Sequence, residues 1–434
     1  MVQCRKLSGY RSRTGLIALT ISLLAVAPLG VGCGDSDDDD TDGTSGGTSQ
    51  GGRAGGAQTG GGGSAAGGTG GSSPAAGRGG AATAGTGGSD GGAGGGDMGE
   101  VDLTGDRRIP FTPETDREFV HYFIEHHEMA IEMAEMVVEK GSTPSVQELA
   151  EQIIEQQTAE LEILRAADEQ LQDQPEPPPM PEDPHSEADM DHMMTMTGTE
   201  LDRMFLLDMI PHHAAGLPPA HRALPRLTLP ELRSMAEDIV RAQAMEIGEM
   251  KAILDALNVT TAGEDMAPAN ASRPDFGLTG DRRVPVTPPD DVTFIDFFIP
   301  HHEMAIMMAE HVIEMGENPE VIALAESIRA AQMAEIEVMQ TVREELTGEP
   351  DPEPMPPDPH MEPEMEEMMM ASGTELDLMF LEEMIPHHAA GLPTAHRAKP
   401  HVERNELQSM ADDIYHSQAE EIGEMERLRQ ELMP

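Results

Sequence analysis

The sequence predicts an all-α protein built as two tandem four-helix bundles, each made of two helical hairpins, behind a Gly-rich tether. Three observations lead to this prediction. The chain from about residue 101 repeats itself at an offset of 175 residues, and each copy repeats itself again at an offset of 86 residues. The four resulting units all carry apolar residues at helical spacing. Four helices close a core that one hairpin does not close well alone.

The first 32 residues have the pattern of an export signal. Basic residues precede the apolar stretch Leu16 to Leu29, which is too short to remain as a membrane span. The following LGVGC resembles a bacterial lipoprotein signal, in which Cys33 is lipidated and becomes the mature N-terminus. Leu29 lies one residue further from Cys33 than in the usual pattern, so cleavage to a secreted protein stays an alternative. We therefore expect an outer-membrane lipoprotein, or a periplasmic or secreted protein, of a bacterial cell envelope.

The domain organisation follows from composition and from the repeats. Residues 33 to 100 are mostly Gly, Ser and Ala with almost nothing that could be buried, which predicts a disordered tether. Random-coil scaling gives such a tether an end-to-end distance of about 45 Å. The repeats then predict a first four-helix domain at 101–258, a linker at 259–275 and a second four-helix domain at 276–434.

Charge and cysteine content limit the partners. With 80 acidic and 27 basic residues, the net charge of -53 disfavours nucleic acid and anionic membranes and favours metal ions. Contact with a membrane is expected only through a lipid anchor at Cys33. The two cysteines, Cys4 and Cys33, lie within or directly after the export signal, which excludes disulfides and thiolate metal sites from the folded part. A soft metal could then be held only by imidazole and by methionine thioether.

Each of the four units carries a pair of adjacent histidines. In the first and third units the first histidine shares a helical stripe with methionines three and seven residues further on. The second and fourth units lack these methionines, are expected to break near Gly216 to Pro219 and Gly391 to Pro393, and supply one further histidine each. The candidate metal ligands on the helices are His126, His127, Met129, Met133, His212, His213, His221, His301, His302, Met304, Met308, His387, His388 and His396.

The second helix of every unit carries Gln and Glu at i, i+3 on one face, and two interpretations stay open. A His–Gln–Glu network could be purely structural. Alternatively, His and Met converge on an ion, for which copper and above all Cu(I) is suited, and the Gln and Glu side chains orient the imidazoles. These second-helix residues are Gln157, Glu160, Gln243, Glu246, Gln332, Glu335, Gln418 and Glu421.

The segments between the hairpins, 173–198 and 350–373, are acidic and rich in proline in their first halves, which predicts an extended chain. Their second halves concentrate methionine where the sequence offers no core to fill. We interpret these clusters as exposed sites for Cu(I), with docking of an amphipathic segment on its own bundle as the alternative. The residues are Met190, His192, Met193, Met194, Met196, His360, Met361, Met365, Met368, Met369 and Met370.

The strings MIPHH, HHEMAIxMA and QxxEI resemble a known family, domain of unknown function 305, in two tandem copies over about 300 residues. The resemblance implies a ferritin-like four-helix bundle and, from exported members, copper binding or copper resistance outside the cytoplasm. It assigns this role to His126, His127, Met129, Met133, His212, His213 and their equivalents 175 residues on.

The sequence thus predicts an extracytoplasmic metal-binding protein that sequesters copper. One alternative is a structural or partner-binding envelope protein whose histidine pairs organise the core. A less favoured alternative is a di-metal oxidase, which needs a Glu-x-x-His motif on two helices. Glu118 and His121 provide this motif in the first copy, but Thr293 and Asp296 replace them in the second. No nucleophile with a base, phosphate loop or cofactor motif is found, which favours a protein that is not an enzyme.

Overall fold

The computed structural model describes residues 108–181, 183–261, 282–355 and 358–433. The predicted export signal with Cys33, the predicted tether and most of the predicted linker between the repeats lie outside these residues. Within them the chain forms helices and no strand, which confirms the all-α prediction. We call 108–261 the first repeat and 282–433 the second repeat. No helix in the described ranges is both long enough and apolar enough to span a membrane.

Each repeat consists of two long hairpins with a short helix between them. The first repeat contains α1 (Asp116–Lys140), α2 (Pro144–Gln170), α3 (Pro184–Thr195), α4 (Gly198–Ala223) and α5 (Pro230–Thr261). The second repeat contains α6 (Asp291–Met315), α7 (Pro319–Thr347), α8 (Glu362–Met370), α9 (Thr374–Ala398) and α10 (Asn405–Leu432). The helices α1 and α2, and α4 and α5, form hairpins that meet through α1 and α4, and the second repeat follows the same plan.

Local sequence signals position these helices. Asn318 accepts hydrogen bonds from the amides of Glu320 and Val321, and Pro319 follows at the first helical position, so α7 begins where the sequence indicates. The apolar stripes of the helices then meet around completely buried phenylalanines. These are Phe119, Phe123 and Phe205 in the first repeat and Phe294, Phe298 and Phe380 in the second.

The two repeats pack directly against each other, α4 against α9 and α5 against α10, within one compact unit. The helices α5 and α10 come closest at two glycines. A Cβ atom on Gly248 would lie 2.8 Å from the Cα of Gly423, and one on Gly423 would lie 2.7 Å from the Cα of Gly248. The offset between these glycines equals the repeat length, which places them at equivalent positions on a pseudo-two-fold arrangement.

Arginines also tie each inter-hairpin segment to the opposite repeat. The Arg397 guanidinium in α9 donates to Asp183 at 2.6 Å, just before α3. Arg222 in α4 donates to Asp358, just before α8, at 2.8 Å in the equivalent contact. Each segment is therefore held across the interface between the repeats.

Two expectations need correction. The proline-rich first halves of the inter-hairpin segments contain no helix in their described residues, as expected, but the methionine-rich second halves, interpreted as exposed, form short helices that pack on the bundle. The break expected at the Gly–Pro sequences is wrong, because α4 continues through Pro211, Pro218 and Pro219 to Ala223. Gly216 to Pro219 are all buried between neighbouring helices, and we attribute the continuity to this packing, which offsets the hydrogen bonds lost at proline.

Candidate metal centre

The first histidines of two pairs face each other inside each repeat. The rings of His126 in α1 and His212 in α4 have centroids 4.0 Å apart, and His301 and His387 repeat this distance. The Nε2 atom of His126 lies 3.0 Å from the carbonyl oxygen of His212. Because a carbonyl only accepts, Nε2 carries the proton of the neutral ring and Nδ1 carries the lone pair. His301 makes the same contact with the His387 carbonyl at 3.0 Å.

A glycine makes room for each ring. A Cβ atom on Gly216 would lie 2.9 Å from His126 Nε2 and 3.0 Å from Gln243 Oε1. A Cβ atom on Gly391 would lie 3.1 Å from a ring carbon of His301 and 3.0 Å from the corresponding glutamine oxygen. The glycine of the HHAAGLP sequence is therefore explained by the close approach of histidine and glutamine, and not by a helix break.

Burial keeps these imidazoles neutral. The pKa values of His126, His301 and His387 lie well below the usual value, first because burial disfavours the charged ring and then because neighbouring histidines repel it. Burial and the adjacent His213 lower the pKa of His212 to about 3. Neutral imidazole is the form that binds metals, so an ion need not displace a proton from these rings near neutral pH.

The second histidine of each pair meets a glutamate on the second helix of its hairpin. The distance from His127 Nε2 to Glu160 Oε2 is 2.6 Å, and His213 lies 2.8 Å from its glutamate. The remaining two pairs are His302 with Glu335 at 2.8 Å and His388 with Glu421 at 2.9 Å. Desolvation and neighbouring carboxylates raise the pKa of Glu335 to about 7. The carboxylates fix the orientation of the rings, as carboxylates do behind metal-bound histidines.

All eight paired histidines share one anomaly. Their Nδ1 atoms are buried and have no hydrogen-bond partner in the described part of the protein. The side-chain amides of Gln157 and Gln243, and the Oε1 atoms of Gln332 and Gln418, are also buried and unpartnered there. A buried polar atom without a partner costs about 1–3 kcal/mol, so a cluster of this size needs partners from outside the chain, either ordered water or a bound ion.

A cavity of about 860 Å³, cavity 1, lies beside the His126–His212 pair. Its walls come from the first bundle, from α3 and the residues just before it, and from α9 and residues 283–285 of the opposite repeat. The sequence-predicted ligands that line it are His126, Met129, Met133, Met190, Met193, Met194, His212 and His396. The structure therefore brings imidazole and thioether together from both repeats.

The second repeat has an equivalent but smaller cavity 2, of about 380 Å³. Burial lowers the pKa of His221, which reaches this cavity from the first repeat, to about 4. The predicted ligands that line cavity 2 are His221, His301, Met304, Met361, Met365 and His387. Met308 is buried in the core and does not line it.

The inter-hairpin methionines are not uniformly exposed, which corrects our first interpretation of them. Met193 and Met368 are completely buried, and Met196 is nearly so. The reason is that α3 and α8 dock on the bundles through one face, which was the alternative. Met190 and Met365 pack partly against the core, whereas Met194, Met369 and Met370 are exposed. His192 is exposed as well, and His360 contacts Glu114 at 3.2 Å.

Sequence reasoning missed several polar residues of the cavities. His185, Asp189 and Asp208 line cavity 1, and Glu364 and Glu383 line cavity 2. The 175-residue offset relates His185 to His360, Asp189 to Glu364 and Asp208 to Glu383. That offset, together with the i, i+4 spacing of His185 and Asp189, was a signal that could have found them.

The Glu-x-x-His motif of the oxidase alternative does not converge on a site. Glu118 accepts a hydrogen bond from the Glu114 amide at 2.8 Å, at the start of α1. His121 instead lies 3.2 Å from Asp168. These residues therefore stabilise a helix end and a surface contact.

No curated protein matches the chain. The solved structure of CopM in the Cu(II)-bound form is similar over 33% of this chain and 98% of that chain, with 33% identity and a TM-score of 0.31. CopM in the Cu(I)-bound form is similar over 33% and 99%, with 32% identity and a TM-score of 0.30. The model of the family described as domain of unknown function (DUF305) matches residues 69–168, 116–254 and 291–429. The chain belongs to the DUF305 family.

Proposed function

We propose that this protein binds and sequesters copper outside the cytoplasm, with Cu(I) held by imidazole and thioether in cavities 1 and 2. The observation that carries the proposal is the set of eight buried Nδ1 atoms without a partner in the described protein. Four of them belong to the facing rings His126 and His212 and their equivalents, which line the two cavities. The export signal predicted from the sequence supports the extracytoplasmic location.

The donor chemistry favours Cu(I) over harder ions at the facing pairs. Met129 and Met133 line cavity 1 beside His126, and Met190 and Met193 approach from α3. Thioether sulfur is a soft donor that Cu(I) accepts and that Mg²⁺ and Ca²⁺ do not favour. Low ring pKa values leave the imidazole lone pairs available. Sequestration fits the burial of the donors, which keeps a bound ion from solvent.

The structural alternative has its own supporting observation. The second histidine of each of the four pairs approaches a glutamate, from 2.6 Å for His127 to 2.9 Å for His388, so these rings already have a carboxylate neighbour without metal. In that case the pairs organise the core, and the protein is a structural or partner-binding component of the envelope. The two functions differ in what happens when sulfur is removed at constant volume.

The test is an anaerobic Cu(I) competition titration on wild type and on two kinds of variant. Met129→Leu with Met133→Leu removes two sulfur atoms with little change in volume, and Met304→Leu is the counterpart in cavity 2. His126→Ala with His212→Ala removes the facing pair. We expect the methionine variant to bind Cu(I) at cavity 1 at least tenfold more weakly with an unchanged melting temperature. We expect the histidine variant to lose that equivalent of copper.

Ag(I), which does not change oxidation state, provides a parallel titration with the same expected pattern. Unchanged Cu(I) and Ag(I) affinities in both variants, together with a lower melting temperature of the metal-free histidine variant, would establish the structural alternative instead.

A further inference from the structure

A second cluster of ligand-type side chains lies at cavity 1 but is separate from the histidine pairs. His185 and Asp189 are one turn apart on α3, and His396 reaches them from α9 of the other repeat. Donor atoms of all three lie within 4.8 Å of one another. Across the described residues, this is the one group of three or more His, Cys, Asp or Glu side chains that is close enough to hold a metal ion.

The distances within the cluster suit direct coordination. Ligands at about 2.0–2.1 Å from a tetrahedral ion are about 3.3 Å from each other. His185 Nε2 lies 3.3 Å from Asp189 Oδ2. His396 Nε2 lies 3.4 Å from Asp208 Oδ1, so Asp208 is a neighbour of one of the three donors. One edge of a tetrahedral site, between His185 and Asp189 on α3, therefore already has the required length.

The surroundings suit a divalent cation. The side chains of His185 and Asp208 are 3% and 6% exposed, so the donors are shielded from water. Two carboxylates beside two imidazoles offset a charge of +2. The nearest cationic side chain in the sequence, Arg397, is engaged by Asp183 at 2.6 Å and by Ser186 at 3.2 Å. Its charge is therefore largely neutralised by Asp183 and does not oppose an ion at the cluster.

We propose that His185, Asp189 and His396 form a binding site for a divalent borderline cation such as Zn(II) or Cu(II), with Asp208 as a supporting carboxylate beside His396. Imidazole nitrogen and carboxylate oxygen are the donors these ions accept, whereas Cu(I) favours sulfur. An ion bound there joins α3 of the first repeat to α9 of the second. The site does not depend on the proposed Cu(I) function, because none of its donors belongs to a histidine pair.

The equivalent position in cavity 2 lacks this arrangement and supplies a natural control. His360, the counterpart of His185, turns to Glu114 at 3.2 Å and to Arg226. His221 and Glu383, the counterparts of His396 and Asp208, are 3.8 Å apart. The second repeat therefore has the residue types of the site, but in its described residues they do not converge.

The experiment titrates Zn(II) into the full-length protein against a chromophoric chelator, after saturation of the soft sites with Ag(I). Wild type is compared with His185→Ala plus Asp189→Ala and with the matched control His360→Ala plus Glu364→Ala. We expect the first variant to lose one equivalent of Zn(II), or to bind it at least tenfold more weakly, and the control to retain it. His396→Ala, which leaves α3 intact, should reproduce the loss.

Two further measurements make the result decisive. With Cu(II) as the probe, electron paramagnetic resonance of the wild type should show two coordinated nitrogens, and His396→Ala should show one. Equal Zn(II) affinity in the site variant and the control variant, or equal loss in both, would overturn the proposal. Ag(I) uptake reports on the proposed function separately. It should be unchanged in the site variant, and its absence from wild type would refute the Cu(I) function while leaving the Zn(II) result to stand on its own.

Discussion

Replacement of Gly216 by alanine tests whether His126 is a ligand or merely a core residue. The new Cβ atom would lie 2.9 Å from His126 Nε2 and 3.0 Å from Gln243 Oε1. Ordinary contact begins near 3.4 Å, so the histidine ring must withdraw by about 0.5 Å. The ring cannot do so without changing its contact with the tilted ring of His212, at a centroid distance of 4.0 Å.

Stability and metal affinity respond to this change by different amounts. Alanine in place of glycine favours the helix by about 1 kcal/mol, while overpacking in an enclosed site costs about 1–3 kcal/mol. The metal-free protein should therefore lose only about 0–2 kcal/mol of unfolding free energy. Metal sites tolerate ligand displacements of only about 0.2 Å. Mutation of the groups that orient a ligand typically lowers the metal affinity by about 10–100-fold. We expect a loss of that size for Cu(I) in cavity 1.

The assay is the anaerobic Cu(I) competition titration together with urea unfolding of the metal-free protein. Gly391→Ala should produce the same loss in cavity 2 and leave cavity 1 intact. Val137→Ala is the stability control, since it removes buried volume on α1 about 16 Å from His126. Cu(I) affinity within threefold of wild type in Gly216→Ala, or an equal loss in Val137→Ala, would refute the assignment of His126 as a ligand.

Three further predictions concern the scaffold. Buried Asp202 accepts hydrogen bonds of 2.9 and 2.7 Å from the two backbone amides before α2. Asp202→Ala should therefore lower the unfolding free energy, measured by urea titration, by about 2–4 kcal/mol. A loss below about 0.5 kcal/mol would contradict this role. Burial raises the pKa of Glu383 from 4.5 to about 8, so its contribution to stability is present below pH 4.5 and lost as the pH rises to 8. The metal-free wild type should therefore lose about 2–4 kcal/mol relative to Glu383→Gln between pH 5 and 8, and parallel pH profiles would show that the carboxyl is not protonated. Met193→Ala should lower the unfolding free energy by about 2–5 kcal/mol because this side chain is completely buried. Met194 is exposed, so Met194→Ala should change the unfolding free energy by no more than about 0.5 kcal/mol. Similar melting temperatures of the two variants would show that α3 is not docked.

The sequence allowed the helices, the hairpins and the histidine–glutamate pairing to be predicted, because helical spacing determines which side chains share a face. His127 and Glu160 illustrate this, since the i, i+3 pattern on α2 placed the carboxylate on the inward face. The contacts between repeats could not be predicted in this way. His396 lines cavity 1 because α4 packs against α9. The hydrophobic periodicity within one repeat carries no information about that packing between repeats.

The same limit explains the errors at the prolines and the methionines. A proline inside an exposed helix removes a backbone hydrogen bond and introduces a steric clash. Pro218 is buried in α4, where the neighbouring helices hold the backbone in place. Met193 belongs to a segment whose composition indicates exposure, yet the bundle offers it an apolar surface. Propensity rules describe an isolated segment, and tertiary packing outweighs them where burial is complete.

The close approach of Gly248 and Gly423 has a consequence for how the two cavities can evolve. In a symmetric dimer of a one-repeat chain, every substitution appears in both subunits, so the two sites remain identical. Here a single chain supplies both sides of the crossing, and each residue can change alone. The cavities of about 860 and 380 Å³, and the different orientations of His185 and His360, show that this freedom has been used. Duplication with covalent fusion thus gives the protein two unlike chambers from one repeated plan.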